Sequence, residues 1–124
     1  MQKNTNRRRW LSWIFAVLVA GLLFQCSGEN PLAPDVRGDN EVWITANGFQ
    51  PTTLTVSAGT TVSWINKDNV NHAVNSGLPN NPKNEFPQSP TIRPNGTYSY
   101  KFSNAGSYNY YCPITSATGK IVVN

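Results

Sequence analysis

From residue 41 onward, apolar side chains recur at every second position. Val42 and Ile44 are the first pair, followed by Leu54 and Val56, then Val62 and Trp64. Tyr98, Tyr100 and Phe102 continue the pattern, as do Tyr108 and Tyr110, and the run Lys120-Ile121-Val122-Val123 closes it. A period of two puts alternate side chains on opposite faces of a strand, and no segment here sustains the 3.6-residue period of a helix. Turn residues separate the runs at Asn47-Gly48, Ala58-Gly59, Pro94-Asn95-Gly96 and Ala105-Gly106. Short strands punctuated this way predict an all-β, antiparallel sandwich, a single small domain over residues 41–124 with a thin, aromatic-rich core. The alternation places Trp43, Trp64 and the tyrosines in core and cross-strand packing, with Tyr111, out of phase with Tyr110, exposed. Asn95-Gly96-Thr97 has the form of a glycosylation acceptor and reads as a hairpin turn.

The residues before the domain follow different patterns. Lys3 and Arg7-Arg8-Arg9 precede the apolar run Trp10 to Phe24, which is short for a membrane span and of the right length for a secretory core, so residues 1–25 read as a signal peptide. Cys26 follows at once. The sequence LFQC resembles the lipobox of bacterial lipoproteins, in which this cysteine is acylated and becomes the mature N-terminus, although Gln25 stands where a small residue is usual. Residues 27–40, SGENPLAPDVRGDN, mix Pro, Gly and charge without apolar periodicity and complete a lipid-anchored flexible tether spanning 26–40.

Placing the charges changes what the composition implies. The formal net charge of +4 lies in the N-terminal segment, because the six basic residues beyond Cys26 are balanced by six acidic ones. A near-neutral domain gives no electrostatic basis for binding nucleic acid. The chain has two cysteines, one histidine and one methionine. Acylation of Cys26 leaves Cys112 as a lone thiol in an exported protein, which is explained by metal ligation or by burial.

The stretch YYCPITSATGKIVV, Tyr110 to Val123, resembles the copper-ligand loop of the cupredoxin family, in which Cys, two residues, His, two residues, Met and then Gly run into the last strand. Further motifs agree in order. They are Gly48-Phe49-Gln50-Pro51, the run Gly59 to Asn66 ending in Trp-x-Asn, the HxV segment at His72, and Phe86, Ser89, Gly96 and Gly106 on the return to Cys112. The resemblance implies a Greek-key cupredoxin-like sandwich that binds copper and transfers electrons in the cell envelope, with no enzymatic activity. By position, His72 is the upstream ligand and Cys112 the thiolate, while Thr115 and Thr118 occupy the positions of the second His and the axial Met. Neither can be replaced from elsewhere in the chain, since His72 is the only histidine and Met1 the only methionine. A neutral hydroxyl is a poor copper ligand beside thiolate and imidazole. Ala73 replaces a polar residue that in the family hydrogen-bonds the Cys loop, and Asn66 and Asn71 are candidates for other hydrogen bonds.

Three readings of the pair follow from its residue types. His72 and Cys112 are core residues of a copper-free binding or scaffolding module, or a degenerate copper site that works with a redox or copper-handling partner protein, or a thiol activated by imidazole. For the last, the sequence identifies neither an orienting carboxylate nor an oxyanion donor.

Overall fold

The computed structural model describes residues 35–124, so the signal segment, Cys26 and most of the tether lie outside the described residues. Nine strands and no helix are found among them: β1 (Glu41–Thr45), β2 (Gly48–Gln50), β3 (Thr53–Val56), β4 (Thr60–Asn66), β5 (Asn75–Leu78), β6 (Asn81–Pro82), β7 (Thr97–Phe102), β8 (Gly106–Tyr111) and β9 (Thr118–Val123). They form two sheets, ordered β2-β1-β4-β7 and β3-β9-β8-β5-β6. The sandwich is as the alternation predicts, but it is not wholly antiparallel. β1 pairs parallel to β4 and β3 parallel to β9. Side-chain period reports which face is buried and carries no information on strand direction. Ala105-Gly106 therefore marks a crossing between sheets, from β7 to β8, and not a hairpin.

The inward positions are those of the predicted period. Val42, Ile44, Val62, Trp64 and Phe102 from one sheet meet Leu54, Val56, Tyr110, Ile121 and Val123 from the other. Trp64 occupies the middle, with the rings of Phe86, Tyr98, Phe102 and Tyr110 at centroid distances of 5.4 to 6.3 Å. The Trp64–Tyr110 contact is edge-on at 81° and joins the two sheets. Truncating a buried Trp to Ala typically costs about 3–5 kcal/mol. Trp43 departs from the core assignment. It sits between inward Val42 and Ile44, faces the other side of β1, and lies under the Lys67 ammonium at 4.7 Å. Tyr111 is half-buried instead of exposed.

Hydrogen bonds to the domain begin before Glu41, with the Arg37 guanidinium donating to Glu41 O and Ser63 N–H donating to Asn40 O. Asn95-Gly96 forms a turn closed by Gly96 N–H to Arg93 O, with Asn95 at φ 65°, and leads a long loop into β7 without joining two paired strands. Pro94 at the second turn position and a left-handed Asn at the third suit a type II turn.

Candidate metal centre

His72 and Cys112 come from segments that leave different sheets. His72 follows the loop after β4 and is pinned by reciprocal backbone hydrogen bonds with Ile92, while Cys112 immediately follows β8. The loop between β4 and His72 is held from inside by Asn66, which is wholly buried. Its amide donates to Val70 O at 2.8 Å and Ile92 O at 2.9 Å, and its Oδ1 accepts from Asp68 N–H at 2.9 Å. Asn66 thus supplies hydrogen bonds of the kind the sequence allowed for it, and Asn71 is exposed. Farther on, Ser89 and Val74 exchange bonds, Val74 N–H donating to Ser89 Oγ at 2.8 Å and Ser89 N–H to Val74 O at 2.9 Å.

These anchors bring Cys112 Sγ to 3.5 Å from His72 Nδ1, both residues being at most 2% exposed. The other ring nitrogen, Nε2, lies 2.8 Å from Asp68 Oδ2. A carboxylate only accepts, so Nε2 carries a proton, and Nδ1 faces the sulfur. Asp68 is thus an orienting carboxylate for the His72 ring. In the sequence, the four-residue separation of Asp68 and His72 is its only trace. The hydrogen bonds from His72 and from Asn69 N–H hold the Asp68 carboxyl below its usual range. For His72, burial disfavours the charged imidazolium, but Asp68 and Cys112 outweigh it and raise the pKa.

Cys112 is lowered to about 7. Burial raises it, and hydrogen bonds from the Thr115 hydroxyl, Ala73 N–H, His72 and Ile114 N–H more than offset that effect. Sulfur in this position is surrounded by donors, two of them backbone groups invisible to a search for side chains. Ala73 reaches the Cys loop through its own N–H, whatever its side chain lacks.

The loop after Cys112 closes as a tight turn. Ser116 N–H donates to Cys112 O and Cys112 N–H to Ala117 O, each at 2.8 Å, with Ser116 in a left-handed conformation at φ 63°. A non-glycine residue there costs roughly 1–2 kcal/mol. Thr115 lies at the sulfur. Thr118 does not. It opens β9 opposite Tyr111, one residue out of phase with Gly119 and inward Tyr110, so its side chain is on the outer face. There it lines a shallow cavity of about 160 Å³ with Thr52, Thr53, Leu78, Asn109 and Lys120. The side chain turned toward the core is that of Ala117. Of the four expected positions, the structure joins His72, Cys112 and Thr115 and separates Thr118.

The paired sheets, the His72–Cys112 contact and the loop that carries it define a cupredoxin-like domain, and the chain belongs to that family: the family model for the cupredoxin-like domain matches residues 14–123. Amicyanin-alpha of Methylorubrum extorquens is 38% identical over 109 residues, spanning 87% of this chain and 86% of that protein. A purple cupredoxin from Nitrosopumilus maritimus superposes with a TM-score of 0.63 at 27% identity, over 68% of this chain and 98% of that one. A copper(I) form of an amicyanin mutant superposes with a TM-score of 0.61 at 30% identity, over 79% of this chain and 95% of that one. Copper binding and electron transfer are the general role of the family.

Among the described residues no cluster of three or more His, Cys, Asp or Glu could hold a metal. The donors that are present, one imidazole nitrogen and one thiolate sulfur facing each other, are of the types copper takes.

Proposed function

We propose that this chain is an exported cupredoxin whose copper centre is degenerate, held by His72 and Cys112 alone, and anchored to a bacterial membrane through lipid on Cys26. The carrying observation is the 3.5 Å approach of Cys112 Sγ to His72 Nδ1 while Asp68 holds the opposite ring nitrogen. Copper in such a site would supply a one-electron redox couple. The chain's own part is to present a thiolate in a pocket of hydrogen-bond donors, to fix the imidazole tautomer, and to keep both donors dry. The missing second imidazole and the absence of thioether remove the ligand set of an ordinary blue centre. The partner is a redox or copper-handling protein of the cell envelope, met at the membrane surface.

A second reading, a copper-free binding module, is favoured by one observation: the sulfur is already satisfied by four hydrogen-bond donors. Competition between the full chain and a chromophoric copper(I) chelator separates the two. The copper reading predicts one site per chain, with affinity lost by at least tenfold in His72→Ala and in Cys112→Ser. Equal affinity in wild type and both variants, or none in any, would leave the copper-free module.

A further inference from the structure

We propose that the shallow cavity on the outer face of the β3-β9-β8-β5 sheet binds a small monocarboxylate. Neither His72 nor Cys112 takes part, so the site does not depend on copper. The strand register builds it. Thr53 of β3 lies opposite Lys120 of β9, and Lys120 lies opposite Asn109 of β8. Directly paired residues share a face of the sheet, so these three form one row across three strands. Their chain neighbours Leu54, Ile121 and Tyr110 are buried in the core, which puts the row on the outer face. Thr118 stands two residues before Lys120 on that face, and Thr52 is held beside β9 by Lys120 N–H donating to its carbonyl at 2.8 Å. With half-buried Leu78 of β5, the strand beyond β8, these residues line a cavity of about 160 Å³.

The lining selects the ligand. Lys120 is the one charged residue in segments 51–57, 75–82 and 103–124, so no carboxylate of these segments neutralises its ammonium or repels an anion. The hydroxyls of Thr52, Thr53 and Thr118 and the Asn109 amide make no hydrogen bond to another described residue, which leaves their O–H and N–H groups free to donate. A single ammonium balances one negative charge, and charge-assisted hydrogen bonds to a carboxylate are roughly twice as strong as neutral ones. Leu78 offers the carbon part of such a ligand an apolar contact. Drug-sized ligands occupy about 300–1,000 Å³. This cavity therefore fits a smaller one, a carboxylate with a short alkyl group.

The test titrates the isotope-labelled full chain with butyrate, read by amide NMR shifts at an ionic strength of about 0.15 M, where loose attraction of ions to the surface is screened. The shifts should saturate and centre on residues 52–53, 78, 109 and 118–120. Butyramide, of the same shape without the charge, should bind at least tenfold more weakly. Lys120→Gln should weaken butyrate at least tenfold, and Thr118→Val by about threefold through the lost hydrogen bond, both at exposed positions. Shifts that rise without saturating, or an affinity unchanged in Lys120→Gln, would overturn the site. Equal binding of butyramide would overturn its assignment to an anion. Tighter, Lys120-dependent binding of inorganic phosphate would overturn its assignment to a carboxylate.

Discussion

Asp68 is the residue on which the state of the site turns. Its carboxyl is held below the ordinary 3.8, so the stabilisation it provides is complete above that pH and is lost as pH falls through the lower folded value. His72 is held above the ordinary 6.5, so its share is complete below that pH and is lost as pH rises through the higher folded value. Between these limits the metal-free chain keeps a full carboxylate–imidazolium pair. Urea unfolding across pH should show the gap between wild type and Asp68→Asn widest in this window and closing as pH drops below 3.8. A gap independent of pH would mean that Asp68 acts through shape alone. The same residue marks a limit of the sequence. Cys112 and His72 stand out as the only histidine and the only cysteine of the domain, whereas nothing in the letters shows that Asp68 and two backbone N–H groups converge on them. That convergence depends on buried Asn66 fastening its loop to Val70 and Ile92.

For the strands, burial was legible and direction was not. The alternation of β1, β4 and β9 is visible in their apolar residues, while β5 and β6, with the sequences NSGL and NP, are strands because their neighbours supply hydrogen bonds. Counting residues from Cys112 finds Thr118 at the spacing of an axial ligand, yet pairing with Tyr111 turns that side chain outward and leaves Ala117 facing in. Thr115→His combined with Ala117→Met should therefore give an intense visible copper band, and Thr115→His combined with Thr118→Met should not. A stronger band from the second pair would show that the loop turns differently when metal is present. Gly119 is fixed by the same register, for a methyl group at this position would run into the Tyr110 ring. Gly119→Ala should lower stability by about 1–3 kcal/mol, as overpacked cores do, measured by the urea midpoint. An unchanged midpoint would deny the close β8–β9 approach.

Taken whole, the sequence pairs a near-neutral sandwich with a basic, apolar N-terminal segment, and the proposed membrane attachment is assigned to that segment. Cys26→Ser should release the chain from the membrane fraction or stall its processing without changing the domain's unfolding curve. Retention of that variant at the membrane, with an unmodified Cys26 in the mature wild type by mass spectrometry, would rule out lipidation. The core is joined across its sheets by the edge-on contact of Trp64 and Tyr110. In the proposed site two copper ligands survive and the blue centre does not. Metal analysis together with the visible spectrum of the copper(II)-loaded full chain tests it most directly. Copper should bind at one per chain, dependent on His72 and Cys112, without an intense thiolate-to-copper band. An intense blue colour at that stoichiometry would contradict it.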